Sequence, residues 1–161
     1  MSSVQALSPA VIIGKLIDSP ELQSAFRYFD LNLEKITDEQ IRICSIPAPP
    51  FGEKERAEYL RERFLESGLP DAKIDEEGNC IALRSGHSAT PLLVVSAHLD
   101  TVFPAGTDVT VRREGDKLLA PGISDDGCGL AALIAIAGCS QSNPNKNLWL
   151  PVVRGHCGRG G

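Results

Sequence analysis

No aspartate or glutamate follows Asp126 in this chain of 161 residues, and its last glutamate is Glu114. Residues 1–126 carry 13 basic side chains against 21 acidic ones, a net of −8, whereas the final 35 residues carry three basic ones and no acid. Basic charge is scarce overall, at a formal net charge of −5, which argues against a nucleic-acid or anionic-membrane surface, because both need a basic patch. Long apolar runs are lacking as well: residues 11–17 are interrupted by Gly14 and Lys15 and are too short to span a bilayer. Five cysteines, at positions 44, 80, 128, 139 and 157, form no CxxC pair, and no Lys- or Arg-led signal segment opens the chain. A reduced, cytoplasmic setting with the cysteines as small buried hydrophobes is therefore expected. The eleven Pro and fifteen Gly follow no period, which excludes collagen-like and repeat architectures.

What is present is enough for a core. The apolar fraction of 42% and charged fraction of 23% fit one ordinary domain or a piece of a larger one. Ser19 followed by Pro20 reads as a helix start, with Leu22, Phe26 and Phe29 at helical spacing. A second helix is predicted over residues 37–45, stopped by the proline-rich segment 46–50. Residues 52–68 give the strongest helical pattern: Ala57, Leu60, Phe64 and Leu65 make one stripe, and the Glu and Arg residues read as a solvated face. Short strands are predicted at 72–75 and 79–84 around Glu77-Gly78, with a hairpin at 109–119 around Gly115. The continuous apolar run 92–95 reads as a central strand covered on both faces, residues 129–137 as a buried helix, and 148–153 as the start of another strand. Alternating helices and strands give an α/β class with a largely parallel or mixed sheet.

Two segments concentrate chemistry. The run 94–97 leads directly into His98-Leu99-Asp100, and the carboxyl end of an α/β strand is where ligand crevices form. A histidine there can bind a metal through one ring nitrogen while an aspartate orients the other; a hydrogen-bonded structural histidine explains the same residues. The second segment is Pro121-Gly122-Ile123-Ser124-Asp125-Asp126-Gly127-Cys128-Gly129, running into the small-residue helix. Paired carboxylates at a helix start can be simple caps. The flanking glycines admit close backbone approach, and one carboxylate can bridge two metal ions.

Together these segments, with 46–52, the helix 53–68 and 75–81 in matching order, resemble the zinc-dependent exopeptidases and aminoacylases. That family includes peptidase T, carboxypeptidase G, acetylornithine deacetylase and succinyl-diaminopimelate desuccinylase. The resemblance runs from about residue 41 to 150, and Ser96-Ala97-His98-Leu99-Asp100-Thr101-Val102 is closest to the peptidase T-like branch. It implies a three-layer α/β fold with a mixed, mostly parallel sheet and helices on both faces, of which this chain is the first part. It also implies His98 and Asp125 as metal ligands, Asp125 bridging two Zn2+ ions (Co2+ or Mn2+ as substitutes). Asp100 takes the catalytic supporting role of orienting His98, and the Asp125–Asp126 bond is expected to be cis. The implied substrates are small peptides or N-acyl amino acids, and family members are often dimeric through a further domain.

The family's pattern continues with a Glu-Glu pair, a lid and dimerisation domain, and a last histidine ligand, none of which this sequence contains. Residues 1–150 are thus expected to be the N-terminal part of a catalytic domain and 151–161 an aberrant or disordered tail, with the lid/dimerisation domain absent. His156 with Cys157 has no zinc-motif companion, and His87 reads as a loop residue. Three readings follow: a truncated metal-dependent amide hydrolase, inactive alone; a non-catalytic fragment that binds metal weakly or joins a full-length partner; and a cysteine hydrolase using Cys128 and His98.

Overall fold

A computed structural model describes residues 8–85, 93–142 and 152–156. The elements in order are α1 (Pro9–Ile17), α2 (Pro20–Cys44), α3 (Lys54–Glu66), β1 (Lys73–Ile74), β2 (Cys80–Ala82), β3 (Val94–His98), β4 (Arg112–Glu114), β5 (Lys117–Leu119), α4 (Gly127–Ser142) and β6 (Val152–His156). His87, Leu92, Cys157 and residues 143–151, which hold most of the strand expected at 148–153, lie outside the described residues.

Local chemistry sets the helix ends. Ser19 caps α2 by accepting the Leu22 N–H at 3.3 Å, with Pro20 in the first turn. The separate helix expected at 37–45 is instead the last part of α2. No Pro or Gly interrupts residues 21–44, and the Thr37 hydroxyl donates to Leu33 O within the helix rather than capping a new one. α3 ends where Gly68 takes φ 72°. There the Gly68 and Leu69 N–H groups return to Leu65 O and Phe64 O, both at 3.0 Å, the pairing of a Schellman stop.

The sheet differs from the expected one. β6 lies between β2 and β3 in the order β1-β2-β6-β3; it is antiparallel to β2 and parallel to β3, and β1 is antiparallel to β2. β4 and β5 form a separate antiparallel hairpin. The sheet is therefore mixed, but it is small and not mostly parallel. Part of the segment assigned to an irregular tail, Val152–His156, is a strand inside it.

Helices cover one face of the described sheet, not two. α3 packs on β1 and β2, α4 on β3, and α3 and α4 touch each other. Ala57, Leu60 and Phe64 of α3, Cys80 and Ala82 of β2, Ala97 of β3 and Leu130, Ala131, Leu133, Ile134 and Ala137 of α4 share one core. α2 lies outside this layer against α4. α4 is buried nearly all round, as its small apolar sequence requires. On the opposite face of β3, Val94 is 53% exposed, so the described part of the run expected as a doubly covered central strand is covered on one face. Among the described residues no helix is long and apolar enough to cross a membrane.

Candidate metal centre

His98 is the last residue of β3, and its ring lies between two carboxylates. Nδ1 is 2.9 Å from Asp100 O and 3.2 Å from Asp100 Oδ1, while Nε2 is 2.7 Å from Asp125 Oδ1. Acceptors face both ring nitrogens, so the ring donates to Asp125 through Nε2 or to Asp100 through Nδ1 according to its tautomer, and to both when protonated. A metal held on Nε2 would take the place of the proton facing Asp125 and leave Nδ1–H to Asp100. Burial, the largest single influence, pulls the His98 pKa down. The hydrogen bond to Asp125, the charge of Asp126, and the bond and charge of Asp100 together outweigh it, so the pKa is raised.

Asp125 sits in the turn that leads from β5 into α4, at the helix start expected of its segment, and is the more exposed partner, with 89% of its side chain open against 38% for His98. The Asp125–Asp126 peptide bond is cis. Asp126 faces inward: its Oδ2 accepts the His98 N–H and its Oδ1 the Gly129 N–H, both at 3.1 Å. A Cβ on Gly129 would collide with that carboxylate, which explains the glycine there. Elsewhere in the turn, Gln40 of α2 donates to Ile123 O at 2.7 Å. Gly122 takes φ 72°, and a Cβ there would meet the Thr101 methyl at 2.7 Å.

The His98 loop is tied down from a third side. Thr101 donates to Ala48 O through its N–H at 2.8 Å and its hydroxyl at 3.2 Å. Arg56, 1% exposed, donates to Leu99 O at 2.8 Å and to Ile46 O at 3.2 and 2.5 Å. Burial lowers the Arg56 pKa, against the charges of Cys44, Asp100 and Glu53. Sequence reasoning placed Arg56 on the solvated face, read Asp126 as a possible helix cap and as half of the cis bond but not as an anchor of His98, and gave Thr101 no role at the site. The missed signal for Arg56 was spacing: it stands four and eight residues before Leu60 and Phe64, on the buried row.

The donor set fits a divalent cation in kind: one imidazole nitrogen with its opposite nitrogen held by a carboxylate, and a facing carboxylate. Among the described residues no group of three or more His, Cys, Asp or Glu side chains converges as metal ligands. Beside His98 and Asp125 opens a cleft of about 260 Å³ with Val102, Phe103 and Ile123 in its walls. Cys128 is exposed, whereas Cys44, Cys80 and Cys139 are buried; all four are free thiols.

Residues 79–153 match peptidase family M28. A protein of Pyrobaculum aerophilum provisionally named LysW-lysine/LysW-ornithine hydrolase is 35% identical over 123 residues, which is 76% of this chain and 33% of that protein. A protein of the same name from Pyrococcus abyssi is 36% identical over 60% of this chain and 28% of its own length. The chain thus spans about a third of the curated relatives it matches. The fold is similar to a tripeptidase from Staphylococcus aureus (TM-score 0.56, 20% identity, 75% of this chain and 35% of that one). It is also similar to the aminopeptidase PepT from Bacillus cereus (TM-score 0.59, 18% identity, 75% of this chain and 35% of that one). The chain is thus similar to peptidase family M28 through residues 79–153 and to the named hydrolases over a third of their length, and its fold is that seen in the tripeptidase and the aminopeptidase.

Proposed function

We propose that this chain carries part of the metal centre of a hydrolase acting on the amide bonds of peptides or N-acyl amino acids. The observation that carries the reading is the 2.7 Å approach of His98 Nε2 to Asp125 Oδ1 with Asp100 holding Nδ1. In this reading His98 and Asp125 would hold a divalent metal, usually zinc in such proteins. When bound, the metal supplies Lewis acidity that polarises an amide carbonyl and acidifies water. The chain's own part is to fix the imidazole: Asp100 keeps the proton on Nδ1, and Asp126 anchors the His98 backbone. The cleft beside Val102 and Phe103 receives the substrate. The buried free thiols of Cys44, Cys80 and Cys139 support a reducing, cytoplasmic setting.

We further propose that the chain by itself does not turn over. Catalytic zinc normally has three protein ligands, and among the described residues two side chains converge here. No glutamate is among the described residues that line the cleft beside His98 and Asp125, which leaves that cleft without a glutamate base. The second reading, a non-catalytic chain that binds metal weakly or associates with a full-length partner, is favoured by the same shortage of ligands.

The test is titration of the purified chain with Co2+ and Zn2+, alongside assays against dipeptides, tripeptides and N-acyl amino acids. Weak binding lost in both His98→Ala and Asp125→Ala, without turnover, is the expected result. Turnover that vanishes in Asp125→Ala would overturn the claim of inactivity. Tight zinc binding that survives His98→Ala would overturn the site.

A further inference from the structure

We propose that Arg56 is the positioning residue of the candidate centre, setting the His98–Asp100 turn through the Leu99 carbonyl. The inference rests on the metal-hydrolase reading above for its purpose, but not for its geometry. Arg56 belongs to α3, otherwise a conventional amphipathic helix, and sits in the row of Leu60 and Phe64. An apolar side chain in that row would fill the space without withdrawing a charge from water, which is costly. What an apolar residue cannot do is donate. The guanidinium gives Nη1–H to Leu99 O at 2.8 Å, and Nε–H and Nη2–H to Ile46 O at 3.2 and 2.5 Å.

Leu99 is the residue between the two that hold and orient the ring. The orientation of its carbonyl fixes the peptide plane entering Asp100, and both Asp100 O and Asp100 Oδ1 face His98 Nδ1. The flanking groups are pinned independently, His98 N–H by Asp126 and Thr101 N–H by Ala48 O. Arg56 supplies the remaining restraint in the middle of the turn, and through Ile46 it braces the turn against the segment that precedes α3. Releasing Leu99 O lets the Asp100 plane rotate, and the ring loses the acceptors that face Nδ1.

The experiment compares the full chain with Arg56→Met, Arg56→Lys and a control, Arg84→Met. Arg84 is also a partly buried arginine that donates to carbonyls, those of Ser67 and Ala137, away from the centre. Two readouts are taken on chains shown to be folded by circular dichroism. The first is the set of His98 ring 1H–15N resonances in metal-free protein, which report how the ring is held between Asp100 and Asp125. The second is the Co2+ dissociation constant. The expected result is one set of ring resonances, shared by the unsubstituted chain and Arg84→Met, and a shifted or heterogeneous set in Arg56→Met. Co2+ binding should be weakened by about 10–100-fold in Arg56→Met, with Arg56→Lys, which keeps a donor but not the guanidinium fork, in between. If Arg56→Met does not fold, Arg56→Lys decides. Unchanged ring resonances and affinity in a folded Arg56 variant, or equal losses in Arg84→Met, would overturn the proposal. If the unsubstituted chain takes up no Co2+, the metal reading fails while the ring resonances still decide the role of Arg56.

Discussion

The Asp126 carboxylate accepts the backbone N–H of His98 at 3.1 Å and so ties the end of β3 to the start of α4. Its other oxygen accepts from Gly129, the third residue of α4, so one side chain is both helix cap and strand anchor. Asp126→Ala removes both bonds and is expected to destabilise the chain by about 1–3 kcal/mol. Asp126→Asn keeps one acceptor and should fall between. Urea denaturation of the three chains measures this, and a loss below that of an ordinary surface substitution would contradict the dual role.

Gly129 and Gly14 make opposite predictions from the same substitution. Both lie in helices, where Ala is ordinarily preferred by about 1 kcal/mol. Around Gly14 nothing lies within 4 Å of an added Cβ, whereas at Gly129 the Cβ meets the Asp126 carboxylate. Gly14→Ala should therefore raise the thermal midpoint or leave it unchanged, and Gly129→Ala should lower it. Differential scanning calorimetry of the two variants is sufficient.

Tyr59 gives the alkaline response. Its hydroxyl donates to Glu39 at 2.7 Å, beside Arg63 at 3.0 Å from the same oxygen. Burial first, then the Glu39 bond and charge, push its pKa to about 12. A raised folded-state pKa contributes stability that is complete below the unfolded value of about 10 and is lost as pH rises through the folded one. Tyr59→Phe should cost about 1 kcal/mol near neutral pH, and the gap to the unsubstituted chain should narrow from about pH 10 upward. Chemical denaturation at neutral and alkaline pH measures the gap; a gap independent of pH would contradict the assignment.

Much of this structure can be read from local chemistry. The Ser19-Pro20 start, the Gly68 stop, the Gly115 hairpin and the small-residue α4 all follow from residue types that leave few alternatives. The meeting of His98, Asp100 and Asp125 was anticipated from their two motifs and from the family resemblance. The rest depended on long-range partners. Residues 37–45 read as a helix of their own, but uninterrupted helix formers upstream extend α2 through them. Arg56 looks like any surface arginine until two carbonyls from distant segments are placed around it. The neighbours of β3 could not be deduced, because β6, the strand that pairs with it, begins at the end of the strand expected at 148–153 and continues into residues that read as a tail.

That placement of β6 sets an order of assembly. Ile81 of β2 pairs with Arg154, and Val94 of β3 pairs with Val152, so strands close together along the chain are joined only through one that is far from both. Loop-closure entropy must be lost before either ladder forms, which makes this a slow, late step. Until it occurs, β2 and β3 each present an open edge, and the helical layer has only a divided sheet to fold against. The folding transition state is therefore expected to contain α3 and α4 before the sheet is complete. In that interval the unpaired edges of β2 and β3 are the surfaces on which chains can misassemble with one another.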